Sequence, residues 1–445
     1  MGLINLLSEK PVHLVLSKDR VLRELPRAPA GSLALLKTAD GEILAKGYYD
    51  PGSKLAFRTF ALQKDKLDES LVAARLGRAA RLRDDLFGPY DSTNGFRLVN
   101  GEGDGLPGLV VDVYNDTAVM KLDGAGAESF YNAEEVAGWL RNRHPRLRTV
   151  FLKYRAGGSG PAAPAAPAAG PAAGPPAAGQ RQGPGGAAKR GSAAAADAEA
   201  AARAAATVAA AADEGRGRLL SGEAPAAGRP VRFVENGVQF QADVVQGQKT
   251  GFFLDQRENR SFVGRLSRGR RVLNVFGYTG GFSIYAGVGG AADVTTVDVG
   301  RAALSYADAN WALNGLEPSR HTAAAEDAFE FLDRAAKARE RWDVVIIDPP
   351  SFAPNKAAVE KARAAYAKLF AAAAVVTAPH GCLSLASCSS HIDSAMFMEI
   401  CDEALGRARR QGYVLRVAGQ PADHPFPAAA DELRYLKFVT FRLEG

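Results

Sequence analysis

Residues 342–356 read WDVVIIDPPSFAPNK. The apolar run 344–347 ends at Asp348, and two prolines and Phe352 follow. A short apolar run without alternation is how a strand covered on both faces reads, and such strands belong to parallel sheets. A carboxylate withdrawn from water at its end is costly without a partner. The prolines fix φ and remove backbone donors, so carbonyls are left directed outward. Phe352 adds a flat apolar face. Carboxyl, carbonyl and ring together suit the edge and face of a planar heterocycle. A turn-forming Asp, a strand-stopping Pro and a core Phe explain these residues only singly.

Working outward, strands are expected at RVLNVFG, DVTTVD, HTAAAED, WDVVIID, GCLSLASCS, YVLRVAG and LKFVTFRL. Ala-rich helical stretches such as 301–314 and 359–377 separate the first five. That rhythm predicts βαβ units and a mostly parallel sheet, with the last two strands as an antiparallel edge hairpin. In such a sheet ligands bind beyond the carboxyl ends of the strands. Those ends carry Gly277 with the loop YTGGF, then Asp298, Asp327, Asp348 and Cys388. Gly277, Gly280 and Gly281 let a ligand approach the backbone closely. Neither GxGxxG nor a Walker lysine is present, so phosphate cradling is not the natural reading. Asp298, about 20 residues on, stands where a carboxylate accepts both hydroxyls of a ribose. Cys382 lies on the same strand as Cys388, some 20 Å away, which precludes a disulfide. Cys382 and Cys401 read as core. Cys388 reads as functional because of its place beside the Asp348 loop.

Upstream, VRFVENGVQFQADV alternates around Asn236-Gly237, a hairpin signal. Residues 10–62 read as short strands with Gly and Pro turns, suggesting a small β-barrel. An amphipathic Arg-rich helix is expected over 67–87. Two strands around a Gly/Asp turn, a helix through Arg143 and a strand at TVFLKYR then form a small α+β unit. From Gly157 to Gly228 the text is Ala, Pro and Gly with almost no larger aliphatic residue. It cannot bury enough apolar surface to offset chain entropy, and reads as a disordered insertion. A frayed helix over 192–214 is the most it predicts.

At 445 residues the chain has room for two or three cores. No apolar run reaches the roughly 18 residues of a membrane span. The N-terminus lacks the pattern of a secretory signal. Three cysteines suit a reducing compartment, and six scattered histidines argue against a structural zinc. The net charge of +6 favours a polyanionic partner, weakly. RNRHPRLRTVFLKYR (141–155) offers phosphate contacts, or equally a solvated helix end.

These residues resemble a known family. NVFGYTGGFS, VDVGRAALSYADANWALNGL, DPPSFAPNK and ASCSS are similar to the S-adenosylmethionine-dependent RNA methyltransferases of the RlmI type, which make 5-methylcytosine in large-subunit ribosomal RNA. QKTGFFLDQRENR, NGEGDGLPGLVVDVYN, ADHP and YLKF extend the resemblance over most of the chain outside the insertion. It implies a PUA-like β-barrel over 1–66 and an α+β middle domain over 67–156 and 229–248. The insertion occupies 157–228, and an α/β Rossmann-like methyltransferase domain with a seven-stranded sheet spans 249–445.

The resemblance implies S-adenosylmethionine bordered by Gly277, Gly280 and Gly281, its ribose on Asp298 and its adenine near Asp327. Asp255, Gln256 and Arg257 would close over it. Pro349, Pro350 and Phe352 would hold the target base. Asp348 and Cys388 match the family's acid and nucleophile, so a thiolate would add to C6 while the carboxyl serves N3. The barrel departs from the family. ELPRAPAGS (24–32) stands where relatives carry a longer segment, which puts RNA grip in doubt. Partners implied are RNA, ribosomal RNA first, with no membrane and no metal; a homodimer is allowed for. The compartment is the cytoplasm for a bacterial chain, a chloroplast or mitochondrion for an algal one. Methylation of an exocyclic amine, which needs no cysteine, and a non-catalytic ribosome-assembly factor are the alternatives.

Overall fold

The computed structural model describes residues 2–5, 11–16, 22, 25–154, 216–225 and 229–445. The expected helix over 192–214, and the insertion up to residue 215, lie outside the described residues. The first unit is a four-stranded sheet in chain order: β1 (Val12–Leu16), β2 (Leu33–Thr38), β3 (Ile43–Tyr49) and β4 (Phe57–Leu62). Leu14, Ala34 and Tyr49 form its small core. Helix α1 (Glu69–Phe87) follows, capped by Asp68, whose carboxylate accepts the Leu71 amide. Val72, Leu76, Ala79 and Ala80 recur at helical spacing on its buried face, and Arg83 joins them.

The middle sheet runs β5 (Gly95–Asn100), β6 (Leu109–Tyr114), β7 (Thr117–Leu122), β8 (Thr149–Lys153) and β9 (Gly217–Gly222), with helices α2 (Ala125–Phe130) and α3 (Ala133–Arg143). Two expectations are corrected here. The stretch 95–122 holds three strands, because a two-residue turn at Asn115-Asp116, with Asn115 at φ 55°, splits the second. The insertion does not extend to Gly228 either. GRLLSG pairs antiparallel with β8, Phe151 opposite Leu219, and closes the edge of a strand whose five residues are all buried.

The Asn-Gly hairpin forms as expected from β10 (Val231–Glu235) and β11 (Val238–Ala242), with Asn236 at φ 50° and Gly237 at φ 78°. Phe233 packs on Tyr114 of the middle sheet and Phe240 on Tyr285 of the C-terminal unit, so the hairpin wedges between the two.

The C-terminal sheet has seven strands: β12 (Arg271–Val275), β13 (Asp293–Val297), β14 (His321–Ala324), β15 (Trp342–Ile347), β16 (Thr377–Ser387), β17 (Gly412–Ala418) and β18 (Lys437–Leu443). Their order is β14-β13-β12-β15-β16-β18-β17. β18 alone runs opposite to the other six strands, and it is the inner strand of its hairpin, leaving β17 at the edge. Helices α4 (Arg257–Leu266), α5 (Gly281–Val288) and α6 (Arg301–Leu313) cover one face. Helices α7 (Ala328–Lys337), α8 (Val359–Val376) and α9 (Ser394–Arg407) cover the other. Along β15, Val344 and Ile346 join the first core while Val345 and Ile347 join the second, which is why the strand reads as a continuous apolar run. Chain order reverses between β12 and β15, opening a crevice at their carboxyl ends.

Candidate active site

The loop leaving β12 is held in an uncommon conformation. Phe276 (φ 60°), Tyr278 (φ 47°) and Gly280 (φ 80°) all lie in the left-handed region. Asp298, at the end of β13, fixes it: Oδ2 accepts the Tyr278 amide at 2.9 Å and Oδ1 the Gly300 amide at 2.8 Å. A Cβ on Gly277 would lie 2.3 Å from Thr296 Cγ2, so the loop lies flat against β13 only with glycine there. Asp327, exposed at the end of β14, caps α7 through the Phe329 and Glu330 amides.

Across the crevice stand Asp348 and Cys388, at the ends of β15 and β16. Gln256 Nε2 donates to Asp348 Oδ2 at 3.0 Å, and Gln256 Oε1 accepts from Asn259 at 2.7 Å. The nearest partner of Asp348 is thus a neutral amide. Burial pushes its carboxyl up to about 7, and the neighbouring Asp255 adds to this. Cys388 Sγ lies 4.0 Å from the Pro349 carbonyl. Burial, then Asp348, pushes its thiol up to about 11, with Lys249 acting in the opposite direction. The two loops are stitched together. Ser389 Oγ bonds Ser351 Oγ and Tyr366 Oη, each at 2.9 Å, and Tyr366 Oη also takes the Ser387 hydroxyl. Cys382 and Cys401 are buried in the two cores, as expected.

The comparisons with known proteins bear on this geometry. Residues 192–439 match a family model described as S-adenosylmethionine-dependent methyltransferase, and residues 11–61 match a PUA-like domain. A Deinococcus radiodurans protein named ribosomal RNA large subunit methyltransferase is 37% identical over 93% of this chain and 89% of its own. One from Aeromonas salmonicida, named ribosomal RNA large subunit methyltransferase I, is 33% identical over 91% and 88%. A solved methyltransferase complexed with S-adenosylhomocysteine superposes with a TM-score of 0.75 at 20% identity, covering 97% of this chain and all of that one. The chain belongs to the S-adenosylmethionine-dependent methyltransferases of the RlmI type.

The cofactor of this methyltransferase is S-adenosylmethionine, and the residues present fit it. The Gly277–Gly281 backbone and the Asp298 carboxylate face the crevice side by side at the ends of adjacent strands. Near Asp348, Asp255 Oδ1 is buried without a hydrogen-bond partner among the described residues, while Tyr435 donates to its Oδ2 at 2.7 Å. The bound group supplies an electrophilic methyl.

Arg257 is not brought to this crevice. Its guanidinium makes a bidentate pair with Asp423 at 2.6 and 3.0 Å and lies over the Phe87 ring, away from the strand ends. Gln256 turns to Asp348 instead. Phe352 is half-buried with its ring 4.7 Å from Tyr366, so it supports the loop from beneath; Pro349 is buried and Pro350 exposed. The motif reading missed Tyr366, Ser389, Tyr435 and Lys437. The last two lie in YLKF, whose strand position gave the one available signal.

Proposed function

We propose that this methyltransferase forms 5-methylcytosine in large-subunit ribosomal RNA, with Cys388 as nucleophile and Asp348 as the group at N3. One observation carries the reading: a thiol stands at the end of the strand next to that of a carboxyl raised to about 7, with the Pro349 carbonyl 4.0 Å from the sulfur. The names of the relatives support the RNA class. C5 of cytosine is too weak a nucleophile to take a methyl unaided. A carboxyl held near 7 keeps its proton in half the molecules at neutral pH, and so can donate it to N3 as Cys388 adds to C6. Gln256 orients that carboxyl without neutralising it. C5 of the adduct then takes the methyl; its proton passes to a general base as the C6–S bond breaks to return the thiolate, and N3 gives its proton back to Asp348.

Bisulfite mapping of ribosomal RNA from cells with and without the protein tests the product. One large-subunit 5-methylcytosine is expected to disappear with the gene. Wild-type enzyme is expected to form a denaturation-resistant adduct with RNA carrying 5-fluorocytosine, since fluorine cannot leave as a proton does. Cys388→Ala is expected to bind S-adenosylhomocysteine normally and transfer no methyl. Full activity in that variant would end the C5 reading and favour an exocyclic amine.

A further inference from the structure

Lys437 opens β18, pairs with Ser387 across to β16, and is only 5% exposed. Its Nζ donates to the Ser389 carbonyl at 2.6 Å and to the Tyr435 carbonyl at 2.8 Å. An ammonium carries three hydrogens, and the third has no acceptor among the described residues. Among the described residues no carboxylate lies within ion-pair distance of it. The buried arginines behave differently: Arg83 is matched by Asp104, Arg257 by Asp423 and Arg260 by Glu235. An unmatched buried cation is expensive, so its position calls for a reason. Cys388 lies between Ser387, the backbone register partner of Lys437 on β16, and Ser389, whose carbonyl the ammonium holds just beyond the strand.

We propose that Lys437 is a positioning residue for Cys388, its buried ammonium held at the carbonyl of the next residue and supporting the thiolate that adds to the target base. The proposal rests on the nucleophile reading of Cys388. The charges facing the sulfur come from four elements. Asp348 after β15 and Asp255 before α4 both oppose a thiolate. Lys249, in the loop after β11, favours it but is exposed. Lys437 reaches the site from β18 within the protein interior, where a charge acts through less dielectric screening. Burial pushes the Lys437 ammonium down to about 8, while a thiolate at Cys388, and then Asp393 at the cap of α9, draw it up. Cation and thiolate therefore stabilise one another in a place where each alone is disfavoured.

Alkylation of Cys388 by iodoacetamide, followed by peptide mass spectrometry from pH 6 to 10, tests this without RNA; buried Cys382 and Cys401 serve as internal controls. Lys437→Gln keeps donors for both carbonyls and removes the charge. It is expected to slow alkylation at pH 8 about tenfold, one unit of thiol pKa. Lys437→Arg is expected to restore the wild-type rate within about twofold, the charge being retained. Alkylation of Lys437→Gln at the wild-type rate across the range, with S-adenosylhomocysteine still bound, would overturn the proposal and leave a structural role. Should the glutamine variant fail to bind, the pairing is read from the other side. The Lys437 side-chain titration, followed by NMR in lysine-labelled protein, is expected to move up in Cys388→Asp, which sets a carboxylate where the thiolate would form, and an unchanged titration overturns it. Both readouts are independent of which RNA atom is methylated, so this proposal and the cytosine reading can fail separately.

Discussion

Gln256 and Arg257 are neighbours in the chain, and each serves a carboxylate withdrawn from water. Gln256 meets Asp348 in the catalytic crevice, and Arg257 meets Asp423 at the junction of the middle and C-terminal units. The outcomes are opposite. At Asp423 burial is outweighed by His424 and Arg257, which hold the carboxyl far below its usual range. That ionised group also accepts the Arg97 amide, while its own main-chain carbonyl takes Arg83 from α1. At Asp348 no cation bonds the carboxyl; Arg260 and the Gln256 amide pull it down only weakly, and burial wins. The choice between amide and guanidinium, one residue apart, decides which carboxylate is a permanent anion for assembly and which can hold a proton for chemistry.

The junction is the more fragile half of this comparison. Replacing Arg257 with Met strands a buried anion, and should destabilise the fold by about 3–5 kcal/mol. Urea unfolding measures it; a loss below about 1 kcal/mol would show that His424 and Arg83 suffice. Because the folded carboxyl titrates below its unfolded value, this contribution is complete at neutral pH and is lost only as pH falls through and below the carboxylate range.

The crevice should respond through its pH profile. In the proposed mechanism the productive form couples protonated Asp348 with the Cys388 thiolate. Below about 7 the carboxyl stays protonated while thiolate grows with pH, so kcat/KM should climb tenfold per unit. Above about 7, loss of the Asp348 proton cancels the gain of thiolate, giving a plateau towards about 11. Gln256→Lys makes the crevice resemble the junction. A cation there should lower the Asp348 pKa by about 1–3 units, starting the plateau earlier and reducing its height correspondingly. A profile that keeps its break near 7 would show that Asp348 is not the group being titrated.

A smaller effect is expected at the cofactor side of the crevice. Asp298→Ala removes the carboxylate proposed to hold the ribose and releases the Tyr278 amide. Loss of about 1.5–3 kcal/mol of charge-assisted hydrogen bonding corresponds to roughly 10–100-fold weaker S-adenosylmethionine binding. Calorimetry giving an unchanged dissociation constant would place the ribose elsewhere.

What the amino-acid text revealed follows the same division. Strand ends were readable because parallel strands covered on both faces leave continuous apolar runs, and Asp298, Asp348 and Cys388 stand where those runs stop. The part played by Arg257 was not readable. Its partner lies 166 positions away, and a local motif such as FFLDQR is silent on which side chain faces which unit. Lys437 was hidden for a related reason. Its burial depends on β18 being the inner strand of the last hairpin, and apolar alternation does not say which of two strands is inner. Strand β9 was lost between Gly-rich flanks, since two leucines give too little signal until β8 is seen to need an edge.

That strand supplies the last prediction, a comparison of two deletions. Removing residues 157–214 with a short Gly-Ser bridge should leave the melting temperature and S-adenosylhomocysteine affinity nearly unchanged. The segment is poor in residues able to pack, and loop closure changes by only about 0.6 kcal/mol per doubling of length. Removing 157–228 also takes β9. Lys153, Phe151 and Thr149 then lose their partners Gly217, Leu219 and Gly222, and a fully buried strand becomes a sheet edge with unpaired amides and carbonyls. Leu220, which packs against the middle core, goes with it. A loss of a few kcal/mol in a unit of this size should lower the melting temperature by about 5–10 °C. Equal melting temperatures for the two deletions would mean that β9 is dispensable and that the edge of β8 tolerates water. A large drop in both would mean that residues 157–214 contribute packing their composition does not announce.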